Sequence, residues 1–439
     1  MEQVNKIRVA MICHFSTPEV RRHLPLDDRK LYTVFRRLLG MPTKSRSYGD
    51  IAPWDMSTIS FFKDRDDIEL HVLSAHSGLK KRVFSFKDQG VNYTFVRCDV
   101  ATMLKRLIPR DALWRKLNPM VRVVQRTLSQ IEPDIVLLVG LENAYYSSTV
   151  LGIKDYPVFA LCQTVYNNPE RAIYGAVDSK NATTEMEILK EFRYFGVYCK
   201  KHFSLLKEIV HDKYIFKFGF PDKGNILEPV DCDKQYHFVN FAMSMSANKG
   251  FKDSIEALAL VKRKYPNIVL NLVGGSSAEQ KSELLDLARD LNVLDNIVFT
   301  PFFEKRSDLF LHIQKSRFAL LPCKMDNTSG TMAQAMQLGL PIVVYKTSGT
   351  PAFNREKQCA LIAEHNNIED LAAKMQMLLD DPELARQLSI NAREYQERKA
   401  ELKKQNGFDL IENFHAIIAH FRYSIPIPKE QLFNPEKDD

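Results

Sequence analysis

The sequence has no uncharged apolar run long enough to cross a bilayer, which excludes a helical membrane span. Its opening, MEQVNKIRVAMICHF, shows no small-residue cleavage site after the apolar stretch, so no secretory leader is expected and the chain is assigned to the cytoplasm. The seven cysteines, Cys13, Cys98, Cys162, Cys199, Cys232, Cys323 and Cys359, never pair at metal-ligand spacing. Scattered through apolar runs, they read as reduced core residues rather than a disulfide framework or a zinc site. Zinc-finger spacing, aromatic RNA-binding signatures and basic-zipper patterns are missing too, so nucleic acid is not an expected partner. There is no internal repeat and no low-complexity tract. The acidic tripeptide Asp231-Cys232-Asp233 falls in a linker-like stretch and is given no metal.

What the sequence does have is a regular alternation. With 439 residues, 45% hydrophobic and 26% charged, it is long enough for two separate cores. Strand-like runs at Ile7–Phe15, Ile68–His76, Asp134–Gly140 and Pro157–Thr164 alternate with helix-like segments, and VFSFKDQGVNYTFVRCD reads as a hairpin. A second series follows at His237–Ser244, Asn267–Gly275, Asn296–Phe302, Arg317–Cys323 and Pro341–Lys346. Short apolar strands alternating with helices predict an α/β protein of two doubly wound parallel sheets. The polar stretch PDKGNILEPVDCDKQY marks the seam. The expected domains are residues 1–225 and 226–407, with 408–439 forming an amphipathic helix and tail that return to the first.

In such sheets ligands lie beyond the carboxyl ends of the strands. That singles out His14, Glu142, Asn143, Thr164 and Tyr166 in the first half, and in the second Ser244 to Gly250, Gly274, Gly275, Phe302 and the stretch DNTSGTMAQAMQLGLP. The last of these reads as a polar loop feeding a helix that Gly339 and Pro341 close. Thr328 or Ser329 would cap that helix, Met332, Ala333, Ala335, Met336 and Leu338 would bury it, and Gly330 would let a ligand reach its first amides. Free amides at the positive end of a helix dipole form an anion site.

The second half resembles the GT-B glycosyltransferases of family 4 across its whole length. The likeness runs in order through SANKGFKDSIEALALVKRKYPNIVLNLVGG, NIVFTPFFEKRSDLFLHIQKSRFALLPC and DNTSGTMAQAMQLGLPIVVYKTSGTP. It includes the Lys249-Gly250 pair and the strand-end glycines Gly274 and Gly275. The resemblance implies two Rossmann-like domains facing a cleft, with a nucleotide-diphosphate sugar as co-substrate and no cofactor or metal. Lys249 and the amides of Ser329, Gly330 and Thr331 would stabilise the leaving diphosphate. Asp326 and Gln334 stand where the family has two glutamates, for the donor sugar and the ribose. Ser244, Asn248, Gly250, Gly274, Phe302 and Thr328 complete the donor side.

The chain departs from the family pattern at Gln334, at Ser244, where an arginine is usual, and at Tyr166, where a histidine is usual. The first half follows the family only in strand order, although HFSTPEVRRHLPL and DIAPW are similar to a bacterial subgroup of surface-polysaccharide synthesis. The resemblance implies retaining transfer of a sugar to a glycan or lipid-linked glycan. One alternative is an inverting transferase using His14, Glu19 or Glu142 as base; another is a non-catalytic nucleotide-sugar-binding homologue. The formal charge of +7 and the basic amphipathic stretches at 29–40 and 104–126 leave room for peripheral contact at the inner face of a membrane.

Overall fold

The run Ile7–Cys13 forms β1, buried on both faces as a central parallel strand must be. Its side chains alternate between two cores: Val9, Met11 and Cys13 enter one, Ala10 and Ile12 the other. A computed structural model of the chain describes residues 6–26, 52–76, 78–97, 119–169, 171, 179–221, 226–325 and 329–437. Within them the chain divides into two units, Met1–Lys223 with Lys403–Asp439, and Gly224–Leu402.

The first unit carries β2 (Ile68–His76), β3 (Val83–Asp88), β4 (Val91–Arg97), β5 (Ile135–Val139), β6 (Val158–Leu161), β7 (Tyr194–Val197) and β8 (Tyr214–Lys217) beside β1. Among the described residues they form one sheet in the order β3-β4-β2-β1-β5-β6-β7-β8. Only the β3–β4 hairpin pairs antiparallel; the other neighbours are parallel. The strand order reverses between β1 and β5, so the crevice of this sheet opens past Cys13 and Val139.

The second unit carries β9 (Tyr236–Ser244), β10 (Leu270–Gly275), β11 (Ile297–Thr300), β12 (Ser316–Leu321), β13 (Ile342–Tyr345) and β14 (Leu361–Ala363) in the order β11-β10-β9-β12-β13-β14, all parallel. This is the strand order of a dinucleotide-binding sheet, and its reversal lies between β9 and β12. The loops after those two strands hold the motifs singled out above.

Strands β7, β8 and β14 have four residues or fewer and were not anticipated. The helix expected at Phe408–Tyr423 is the second part of a single 42-residue helix, Pro382–Tyr423. Gly407 sits inside it without a break; a Cβ there would stand 2.3 Å from the ring of Phe61, and only glycine fits so close an approach. Leu410, Ile411, Phe414 and Ile417 on that helix complete the core of the first unit. The amphipathic stretch 29–40, and the other one up to residue 118, lie outside the described residues. From Pro119 the latter continues as the helix Pro119–Ile131. No helix among the described residues is long and apolar enough to cross a membrane.

Candidate functional site

In the second unit, β9 ends at Ser244, and Ala247–Lys249 make one tight turn before the helix Phe251–Lys262 begins. Gly250 joins the two with φ +67°, a left-handed conformation that favours glycine. A Cβ at this position would lie 2.2 Å from the carbonyl oxygen of Pro322, in the loop after β12. The amide of Lys324 in that loop donates to the carbonyl of Asn248 at 2.9 Å. So the loops after the two switch-point strands are laced together at the backbone.

Side chains hold the same turn from below. Asn240, buried in β9, donates to the Lys249 carbonyl at 3.5 Å and to Ser254 Oγ at 2.9 Å, while Ser254 Oγ donates to the Gly250 carbonyl at 2.9 Å. Lys324 Nζ lies 2.8 Å from Asp253 Oδ1, and Tyr345 Oη donates to Asp253 Oδ2 at 2.8 Å. None of Asn240, Asp253, Ser254, Lys324 and Tyr345 was singled out in the sequence. Lys249 itself is partly exposed, Ser244 exposed and Asn248 partly exposed.

Ser329 caps the helix Gly330–Gln337 with its hydroxyl, which accepts from the Met332 amide at 3.3 Å and lies 2.7 Å from Thr331 Oγ1. Met332, Ala335, Met336 and Leu338 are buried beneath; Ala333 is only partly so. Gly330 is exposed, and a Cβ added to it would meet nothing within 4 Å among the described residues. Thr331 and Gln334 are partly exposed along it. Gly274 and Gly275 end β10, with Phe302 exposed close to Gly275. Asp326 and Thr328 lie outside the described residues.

In the first unit the crevice collects His14, Glu142, Asn143 and two tyrosines. His14 is exposed just past β1, its ring centroid 6.1 Å from those of both Tyr145 and Tyr146. Asn143 Nδ2 donates to Tyr146 Oη at 3.3 Å, which donates on to the Val139 carbonyl at 2.7 Å. Glu142 is buried with Asp55, which the sequence did not suggest, and each leaves one carboxyl oxygen without a hydrogen-bond partner among the described residues. Burial pushes the Glu142 carboxyl up to about 8, with Glu185 adding to the effect. Burial first, then the Glu142 charge, pushes Asp55 well up.

Tyr166 has the Arg171 guanidinium 4.1 Å from its ring centroid, and its amide donates to the buried Glu185 carboxylate at 2.7 Å. Arg171 also donates to Thr164 Oγ1 at 2.8 Å. Glu19 is exposed on the short helix Pro18–Arg21, held below its usual range first by a backbone amide and then by Thr17. Among the described residues no group of three or more His, Cys, Asp or Glu side chains is placed to hold a metal ion.

The buried acid at Glu142 has a consequence for stability. Because its folded pKa, about 8, lies above the ordinary 4.5, the folded chain holds the extra proton between those values. Folding is therefore most stable at the acidic end of that window and weakens as pH rises through it. Melting curves recorded from pH 5 to pH 9 are expected to fall with pH, and Glu142→Gln is expected to flatten the fall, leaving a residual slope from Asp55.

The residues around this turn match a family model described as "Glycosyl transferases group 1" over 222–395, a stretch that takes in most of the second unit. Relatives named as glycosyltransferases match a part of the chain. An uncharacterized glycosyltransferase of Haemophilus influenzae is 30% identical over 146 residues, 33% of this chain and 40% of that protein. Glycogen synthase of Mycobacterium tuberculosis is 26% identical over 146 residues, again 33% of this chain and 34% of its own length. The chain thus matches well under half the length of these relatives.

Whole-chain similarity appears in solved structures. Sucrose-phosphate synthase from Thermosynechococcus elongatus superposes with a TM-score of 0.69 at 14% identity, covering 94% of this chain and 100% of that one. Anabaena HepE in complex with UDP and glucose gives 0.61 at 13% identity, covering 93% and 100%. At such identities the likeness speaks to fold alone: the two α/β units have the GT-B fold.

Proposed function

We propose that the protein transfers a sugar from a nucleotide-diphosphate donor to a hydroxyl of a glycan or lipid-linked glycan, with retention of configuration and without a metal. One observation carries this reading. The Lys249 turn is laced to the loop that leads into the Ser329-capped helix, at the strand reversal of a group 1 domain. A departing diphosphate needs positive charge and amide donors held in advance, since a preorganised site need not reorient as charge develops. In this reading Lys249 supplies the cation and the amides of Ser329, Gly330 and Thr331 the donors. Among the described residues, nothing would lie within 4 Å of a Cβ on Gly330.

The remaining roles follow the same logic. Asp326 orients the donor sugar and Gln334 hydrogen-bonds the ribose, while Ser244, Asn248, Gly250, Gly274, Phe302 and Thr328 line the donor side. His14 is the catalytic candidate of the first unit, and Glu142, Asn143 and Tyr166 belong to the acceptor side. The reaction takes place in the cytoplasm, at the inner face of the membrane where the acceptor is lipid-linked. An inverting route is the second reading, favoured by one observation: His14 is exposed at the crevice of the first sheet, where a base could reach a hydroxyl. NMR of the product's anomeric centre separates the two.

The first test is a melting screen against UDP, GDP, ADP and CMP and their sugars. A true donor nucleotide at a hundred times its Kd contributes about 2.7 kcal/mol to folded stability, which raises Tm by about 5 to 10 °C. No shift with any of them counts against the donor site.

A further inference from the structure

Among the described residues, Lys324 and Asp253 form the most sheltered ion pair of the second unit. Their side chains are 21% and 7% exposed, whereas pairs such as Lys252–Glu283 and Arg386–Glu383 lie at half exposure or more. Exposed pairs of that kind contribute little. A sheltered pair is a different matter, because removing one partner strands the other charge in a poorly hydrated place.

The position of this pair is what gives it meaning. Lys324 grips the Lys249 turn on both flanks. Its amide binds the carbonyl of Asn248, the residue before, and its ammonium binds Asp253 in the first turn of the helix that begins directly after Gly250. Tyr345 on β13 closes the chain of contacts by donating to the second oxygen of Asp253, which fixes that carboxylate to the sheet. With its charge met by Asp253, Lys324 is built to place the turn rather than to touch a ligand.

We propose that the Lys324–Asp253–Tyr345 bridge is the positioning device for Lys249, holding its ammonium in register with the amides at the start of the Ser329-capped helix. The inference rests on the donor-site reading above and adds a specificity to it: the bridge acts on recognition of the diphosphate and not of the nucleoside. A phosphate-binding cation is sensitive to small displacements, since misplacing a group by about 1 Å can cost a hundredfold.

The test is calorimetric titration with UDP, GDP and ADP, each beside its nucleoside, for wild type, Lys324→Met, Lys324→Arg, Lys249→Ala and the combination of Lys324→Met with Lys249→Ala. Lys324→Met is expected to weaken binding of the diphosphate roughly tenfold and to leave the nucleoside unchanged, with Lys324→Arg recovering most of the loss. In the Lys249→Ala background Lys324→Met should have no further effect, because there is then no ammonium to place. Should Lys324→Met fail to fold, its combination with Asp253→Asn replaces the ion pair by a neutral one and is measured in its stead, with the same expectation.

Equal losses for nucleoside and diphosphate, or additive losses in the combined variant, would overturn the inference while leaving the donor site standing. Unchanged diphosphate binding in Lys324→Met would do the same. A wild-type chain that binds none of the three diphosphates overturns the donor-site reading, and this inference with it.

Discussion

Lys249→Ala is expected to lower the rate of sugar transfer about a hundredfold while leaving the fold intact. The magnitude follows from what one preorganised electrostatic contact to developing charge is worth, roughly 10²- to 10³-fold in turnover. The amides at the start of helix Gly330–Gln337 remain, so activity should fall and not vanish. Stability should hardly change, because Lys249 is partly exposed and the turn it occupies is fixed by its carbonyl, through Asn240, and by its neighbours. The measurement is steady-state kinetics with the donor that the melting screen identifies, beside a thermal melt of the same variant. A drop concentrated in turnover, with donor KM moving less, is the signature of a contact that strengthens toward the transition state. Near-normal turnover would remove Lys249 from the mechanism.

The second large effect is expected at Gly250. Replacing it by alanine meets two penalties at once. A left-handed backbone conformation costs an L-residue about 1 to 2 kcal/mol, and the new methyl would lie 2.2 Å from the Pro322 carbonyl. That carbonyl is main chain, and the residues after it are tied back to the same turn by the Lys324 amide. There is no flexible side-chain tip to give way. A loss of about 3 kcal/mol or more is expected, read as a fall in the denaturation midpoint, together with loss of nucleotide stabilisation. Gly330→Ala is the matched control. Its Cβ would meet nothing within 4 Å among the described residues, so it should melt as wild type does or slightly higher. If both alanine variants behaved alike, the turn would have slack that its hydrogen bonds do not suggest.

How far these features could be read from the sequence depended on whether their cause was local. The runs of β1, β5, β9, β10, β12 and β13 are apolar because both faces of a central parallel strand are covered, and that leaves an unbroken mark in the sequence. Strands β7 and β8, four residues each like β13, leave a weaker mark because Gly196 interrupts one and Lys217 ends the other, and β14 has only three residues. The long helix was seen only from Phe408 onward because Asn406-Gly407 has the look of a terminator. The glycine is there because the Phe61 ring leaves no room for a Cβ, a close approach that no local pattern announces.

The same division runs through the candidate site. Lys249-Gly250 and Ser329-Gly330-Thr331 were visible as short motifs next to strand ends. Asn240, Asp253 and Lys324 were not, because each looks ordinary where it stands and acquires its part only through a partner on another element. Glu142 was placed correctly at the end of β5, but its burial beside Asp55 depends on the helix Pro53–Lys63, which sequence spacing does not connect to it.

The lacing of the two loops also bears on how such a protein could be re-engineered. A chimaera that imported residues 246–250 from another transferase would carry a foreign turn onto a native Pro322 carbonyl and Lys324 amide, and one that imported only 322–324 would fail in mirror image. The two stretches are one inheritable module written in two places, and a successful transplant has to move both, together with the asparagine beneath them.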